Sequence, residues 1–209
     1  MVSADEIVKL QDGAIGAWHR VEAVGQVWIP LALETADVHS RNWLGAVLLQ
    51  HRANFDLWHI EDEARTPGAT DAELAHVKRR VDETNQRRND LAEELDVALL
   101  GWLQERGLPN LDAPLHSESP GLMIDRLSIL ALKIWHTREE AERTGAPAGH
   151  AERNRERLAI LEEQRSDLAG CLEALWRETL ARTKRIKIYR QLKMYNDPTL
   201  NPAIYGRSG

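Results

Sequence analysis

The sequence predicts an all-α protein, a bundle of long antiparallel helices made from two related hairpins, with a helix before them and a short basic helix after them. Three observations carry that expectation. Ala, Leu, Glu and Arg are abundant, whereas one Phe and three Tyr leave little raw material for strands. Capping signals repeatedly open segments whose apolar residues recur three and four apart. The second half of the chain also matches the first at one constant offset, the distance from Trp58 to Trp135.

In order, Ser3 with Glu6 forms a capping box for a first helix that runs into the Trp18 region, weakened by Gly13 and Gly16. Pro30 interrupts, and a second helix is expected from about Thr35 to Arg65, with Leu44, Val47, Leu48, Phe55 and Trp58 as its apolar positions. Thr66-Pro67-Gly68 stops it. Thr70 and Glu73 open a third helix that continues to Gly107 through Leu74, Val77, Val81, Leu91, Leu95 and Leu99. Helices of about 30 residues span roughly 45 Å, the length of bundle helices. Pro120 suits the first turn of a fourth helix ending near Arg143, and Thr144-Gly145-Ala146-Pro147 turns the chain into a fifth that reaches about Arg182. A basic helix from Lys184 to Tyr195 precedes a tail punctuated by Asn and Pro.

The repeat is gap-free. Trp58-His59 falls on Trp135-His136, Gly68-Ala69 on Gly145-Ala146, Arg88 on Arg165 and Asp90-Leu91-Ala92 on Asp167-Leu168-Ala169. Hairpin one therefore spans about 35–106, a linker 107–119, and hairpin two about 120–182, followed by the basic helix and tail at 183–209. All lie in a single domain of 209 residues, enough for one core.

Composition bounds the function. A net charge of -6 argues against general nucleic-acid binding. Cys171 is the sole cysteine, so neither an internal disulfide nor a zinc-thiolate site is available, and its helical context suggests a small buried side chain. Apolar runs fall short of a membrane span, and the opening residues lack the layout of a signal peptide, so a reducing cytoplasm is the expected location. Haem, nicotinamide and flavin are not expected. Phosphate loops, nucleophile elbows and His-Glu-x-x-His pairs are absent, and the single Glu73-x-x-His76 is half of what a di-iron bundle needs.

Positions where the copies differ point to chemistry. Asn54 pairs with Ala131, Asp82 with Ala159, His51 with Ser128, Asn89 with Ser166 and Glu61 with Arg138. His51, Asn54, Trp58 and Glu61 form one helix stripe, and Asp82, Asn85 and Asn89 form another. If the first hairpin turns those stripes inward, Glu61, Asp62, Asp82 and Asn85 converge as hard oxygen ligands for Mg²⁺ or Mn²⁺. A solvated acidic face is the alternative. In the second half, Asp125 beside Arg126 suggests an ion pair more than chemistry, and His136, sharing its Trp-His context with His59, reads as a packing residue. Arg165 and Asp167 repeat Arg88 and Asp90, which makes them scaffold candidates. Arg182, Lys184, Arg185, Lys187, Arg190 and Lys193 carry no acid among them and form either a phosphate clamp or a neutralising helix.

Several strings resemble an uncharacterised bacterial family, domain of unknown function 4254. They are Asn54 with Leu57-Trp58 and Glu61-Asp62, Asn85 with Arg88-Asn89-Asp90, Ser119-Pro120-Gly121 leading into Ile124-Asp125-Arg126-Leu127-Ser128, Glu163-Gln164-Arg165-Ser166-Asp167-Leu168, and Tyr189-Arg190-Gln191-Leu192-Lys193-Met194-Tyr195-Asn196-Asp197-Pro198. The resemblance implies a helical fold and supplies no mechanism. It favours Asn54, Glu61, Asp62, Asn89, Asp125, Arg126, Arg190, Lys193 and Asn196 as parts of one site.

Two functions follow as expectations. In the first, a metal-dependent hydrolase acts on a phosphate-containing small molecule such as a nucleotide or sugar phosphate. Glu61, Asp62, Asp82 and Asn85 hold the ion, and His51 or Asp125 is the base. Asn54, Asn89, Arg126, Lys187, Arg190, Lys193 and Asn196 bind substrate. The arrangement is similar in architecture to all-helical nucleotide pyrophosphatases, although their Glu-Glu-x-x-Glu string is missing. In the second, the chain is a non-catalytic binding or assembly protein that works as a homo-oligomer, with Trp18, Trp28 and Trp43 as candidate contacts.

Overall fold

The computed structural model describes residues 2–24, 37–188 and 199–200. Among them the regular elements are helices: α1 (Ala4–Val24), α2 (Val38–Glu63), α3 (Asp71–Gln104), α4 (Pro120–Glu142) and α5 (His150–Leu180). The fold is all-α, as the periodicity predicts. Among the described residues, no helix is long and apolar enough to cross a membrane.

Four of the five helix starts fall where a side chain can take an orphan backbone N–H, and α5 instead follows Gly149, which has no side chain to cap it. Ser3 and Glu6 form the reciprocal box ahead of α1, the Glu6 amide donating to Ser3 Oγ at 3.2 Å and the Ser3 amide to Glu6 Oε2 at 2.8 Å. Asp37 Oδ1 accepts from the Ser40 amide at 3.1 Å and caps α2. Thr70 and Glu73 complete a second box, and Ser119 caps α4 with Pro120 in its first turn. Gly68 and Gly145, equivalent in the two copies, both adopt positive φ, 82° and 74°. The duplicated turn thus keeps its left-handed residue, which a side chain would strain.

Helix directions follow from the pairs that touch. Partners between α2 and α4 keep a nearly constant offset along the chain: Gln50 with Asp125, Asn54 with Ser128, and His51 with Ser128. A constant offset means that the two helices run in the same direction. Gln11 with Ile124 and His19 with Trp135 place α1 parallel to them as well. Arg80 with Glu63 and Arg138 with Glu162 show each hairpin to be antiparallel within itself. Three helices therefore run one way, and α3 and α5 run back.

α4 occupies the middle, touching all four other helices. Met123, Ile124, Leu127, Ala131, Leu132 and Ile134 are buried on several of its sides. α1 is a core element rather than an accessory to the hairpins, with Ile7, Ala14 and Ile15 fully buried. Arg165 of α5 reaches Asp12 of α1 at 2.6 Å, and the Ala4 amide donates to Glu173 at 2.9 Å, closing the bundle between its first and last helices.

The segment after α5 departs from expectation. Residues 184–188 are extended rather than helical, and they pair with the linker. The Arg185 amide donates to Pro114 O at 3.0 Å, its Nε to Ala113 O at 2.9 Å, and its carbonyl accepts from the His116 amide at 2.9 Å. The linker carbonyls of Ala113 and Pro114 give these donors partners, whereas a helix beginning here would leave its first amides orphaned. The rest of the expected basic helix lies outside the described residues. Cys171 is exposed, not buried, because α5 turns that side away from α4.

One junction is unusually tight. Asp96 of α3, only 4 % exposed, accepts from the Gly121 amide at 2.6 Å and from the Ser119 hydroxyl. It places a carboxylate at the positive end of α4. A Cβ on Gly121 would stand 2.1 Å from the Ala92 carbonyl oxygen and 2.9 Å from the Asp96 carboxylate. Gly121→Ala is therefore expected to lower unfolding free energy by at least about 2 kcal/mol, read from the urea midpoint; an unchanged midpoint would contradict the close approach.

Candidate functional site

Helices α1, α2 and α4 are joined by a buried polar network. His51, with no exposed surface, takes the Ser128 hydroxyl proton at Nδ1 (2.6 Å) and offers Nε2–H to the Gln11 carbonyl (3.1 Å). Ser128 Oγ accepts from Asn54 Nδ2 at 2.9 Å, and that amide also donates to Asp125 Oδ1 at 2.9 Å. Gln50 Nε2 adds a second contact to the same carboxylate at 2.5 Å, and Arg88 of α3 stands 3.7 Å from it as an ion pair. Burial drives the His51 pKa down to about 3, so the ring is neutral. Burial pushes the Asp125 carboxyl up, opposed by Arg88, Asn54 and Gln50.

This placement changes the chemistry available to the expected base. Both His51 nitrogens are engaged and water has no access, so in this geometry it is a structural histidine that cannot accept a substrate proton. Asp125 likewise faces protein donors. His51 and Ser128, equivalent in the two copies, differ because they bond to each other across α2 and α4.

A cleft of about 330 Å³ opens above the network between α2, α3 and α4. Asn54, Leu57, Trp58, Glu61 and Asp62 line it from α2, with Arg65 from the turn beyond, Arg88 from α3, and Ile129 and Leu132 from α4. Arg65 pairs with Glu61 at 3.5 Å. Arg88 is the polar floor: its Nε is buried without a hydrogen-bond partner, and its Nη2 makes a long contact of 3.4 Å to Asn89 Oδ1. Larger concavities, about 440 Å³ between α1 and α5 and about 740 Å³ along α3, are shallower grooves. The α2–α3–α4 cleft is set apart by a half-buried cation, Arg88, whose Nε has no hydrogen-bond partner, whereas Arg165 in the α1–α5 groove is bonded to Asp12.

The remaining predicted residues are distributed elsewhere. Asp82 lies along the outer groove of α3 and is held by Lys78, so it does not meet Glu61 and Asp62. Asn89 Nδ2 donates to the Asn85 carbonyl at 2.7 Å, within α3 itself. Arg126 is exposed and bound to Glu118 at 2.8 Å. Lys187 is exposed in the extended segment; Arg190, Lys193 and Asn196 lie outside the described residues. Trp18 and Trp43 are half-buried against Phe55 and Trp176 rather than presented as contacts, and Trp28 lies outside the described residues. Sequence reasoning left Arg65 unremarked and took Arg88 for scaffold. Its identity with Arg165 hid the fact that the two copies place that arginine against different helices.

Fold and site together define an all-helical protein with a polar spine and one cleft walled by three helices. The chain belongs to the family of proteins of unknown function DUF4254, whose model matches residues 45–188, from within α2 to the extended segment. No curated protein and no solved structure matches the chain.

The network makes stability depend on acid. Between the unfolded His51 value of 6.5 and the folded value of about 3, the unfolded chain binds a proton that the folded chain refuses. Stability should therefore fall as pH drops below about 6.5, by up to roughly 1.4 kcal/mol per pH unit from this group. Asp125 acts in the opposite sense, its raised pKa favouring the folded state on acidification at pH above the ordinary carboxyl value of 3.8. Urea midpoints between pH 7 and 5 should decline less steeply for His51→Gln than for the parent, and parallel profiles would refute the buried neutral ring.

Proposed function

We propose that the chain binds a phosphate-bearing small molecule in the α2–α3–α4 cleft and hydrolyses it with the help of Mg²⁺ or Mn²⁺ held at Glu61 and Asp62. The observation behind this reading is the Arg88 guanidinium, which lines the floor of a cleft whose rim carries two adjacent carboxylates. A guanidinium in a partly dry site holds two phosphate oxygens at once and is weakly hydrated to begin with. One or two carboxylates suit Mg²⁺, which keeps several waters, and such an ion supplies an acidified water as nucleophile. That route needs neither His51 nor Asp125 as a base.

Size favours a small substrate. At about 330 Å³ the cleft is near the lower end of ligand sites, which run from roughly 300 to 1,000 Å³. A sugar phosphate or a single nucleotide fits that volume better than a dinucleotide. Leu57, Trp58, Ile129 and Leu132 supply an apolar wall for a ring, with the polar groups clustered at floor and rim.

Thermal-shift titrations with sugar phosphates and nucleoside monophosphates, with and without Mg²⁺, test the reading alongside phosphate-release assays. The parent should be stabilised by at least one ligand and release phosphate only with the ion. Arg88→Lys, which keeps the charge and loses the fork, should weaken binding by roughly 30-fold, the effect of about 2 kcal/mol. Glu61→Gln should abolish the Mg²⁺ increment. A parent indifferent to every phosphate compound, or an Arg88→Lys variant that binds as well as the parent, sinks the proposal.

A further inference from the structure

His19 of α1, His59 of α2 and His136 of α4 converge at one place between the three parallel helices, each offering a ring nitrogen within 4.8 Å of the other two. Two of the three are the repeat-equivalent histidines, brought face to face because α2 and α4 run side by side in register. The third comes from a helix outside the repeat.

We propose that His19, His59 and His136 form a Zn²⁺ site, with three imidazole ligands and a fourth position left for water. The hydrogen bonds around the rings already have the pattern that a metal site requires. His19 Nδ1 donates to the Ile15 carbonyl at 2.9 Å and His136 Nδ1 to Glu139 Oε2 at 2.8 Å. Each bond leaves Nε2 as the lone-pair nitrogen and makes the ring a stronger ligand. Nε2 of His59 and of His136 are both buried with no hydrogen-bond partner. Among the described residues, no hydrogen bond joins any two of the three rings.

That deficit argues against a merely packed aromatic cluster. A buried polar atom left unpaired costs about 1–3 kcal/mol, and Leu or Phe would fill the same space without it. A bound cation satisfies both nitrogens together.

The surroundings hold the rings in place. Trp58 stacks on His136 with centroids 4.8 Å apart and planes at 11°, and Trp135 stacks on His19 at 5.4 Å and 6°. Phe55 meets His19 and His59 edge-on at 5.0 and 4.5 Å. Tetrahedral Zn²⁺ with Zn–N near 2.05 Å needs its nitrogens about 3.4 Å apart. The rings must therefore close by roughly an ångström on the ion, a movement their half-buried positions allow. Imidazole ligands without carboxylate or thiolate select Zn²⁺ and its transition-metal neighbours over Mg²⁺ or Ca²⁺. The site is separate from the cleft ligands Glu61 and Asp62, and it stands whether or not the cleft binds phosphate.

The test uses untagged, EDTA-stripped full-length protein titrated with Zn²⁺ by calorimetry, and X-ray absorption of the loaded protein. One ion per chain, with three imidazole nitrogens in the first coordination sphere, is expected from the parent. His59→Gln and His19→Gln should weaken binding at least about 100-fold, and Glu139→Gln about 10-fold through the supporting hydrogen bond. His76→Gln, an exposed control, should bind like the parent. Absence of stoichiometric Zn²⁺ in the parent, fewer than three imidazoles in the absorption spectrum, or unaltered binding by a folded His59→Gln variant overturns the proposal. Mg²⁺-dependent phosphate binding by the stripped protein reports on the cleft separately.

Discussion

A continuous run of buried hydrogen bonds passes from the α1 backbone at Gln11 through His51 and Ser128 to Asn54, Asp125 and Gln50, with Arg88 of α3 at its end. Apolar packing alone tolerates sliding between neighbouring helices, because one leucine replaces another at little cost. A buried polar network does not, since a slip of one residue leaves several further donors and acceptors dry and unpaired. The relative register of α1, α2 and α4 is therefore set here. About two turns farther along the same helices, that register brings His19, His59 and His136 together. On the α3 side it presents Arg88 to the cleft.

The duplication acquires its meaning from helix direction. Two antiparallel copies would bring equivalent residues together at one point only, whereas α2 and α4 run in parallel and meet equivalent to equivalent along their length. His51 faces Ser128 and His59 faces His136. At the first pair the copies diverged into a donor and an acceptor that complement each other. At the second they stayed identical, which suits two like ligands. Differences between copies thus arose from structure as well as from function, and identity between copies does not mark a residue as scaffold.

Charge follows the same geometry. Two acids of α3 on its outer groove are matched locally, Asp82 by Lys78 and Asp90 by Gln86, at positions where water screens them. The cation that matters electrostatically is the half-buried Arg88, because its partner Asp125 is already shared among two amides. An anion entering the cleft meets a guanidinium that is incompletely satisfied, in a medium of low polarity.

Much of the fold was legible along the chain. Capping boxes at Ser3 and Thr70, Pro120 in a first turn, and the glycines at 68 and 145 locate helix ends by local chemistry, which needs only neighbours in sequence. The stripe of His51, Asn54, Trp58 and Glu61 was legible as a face, and the structure divides it between spine and cleft. The extended run at 184–188 was not, because the carbonyls that hold Arg185 belong to a linker some 70 residues earlier, as the separation of 72 between Arg185 and Ala113 shows. Nor could the inward displacement of Arg88, the outward turn of Cys171 or the meeting of three histidines be read, since each depends on which way a helix is rotated against helices distant in the chain. Periodicity and capping are properties of a segment, so the amino-acid order by itself determined an all-helical, duplicated hairpin protein. Side-chain convergence is a property of several segments packed at once, so the parallel run of α1, α2 and α4, the cleft and the histidine cluster were decided only by tertiary packing.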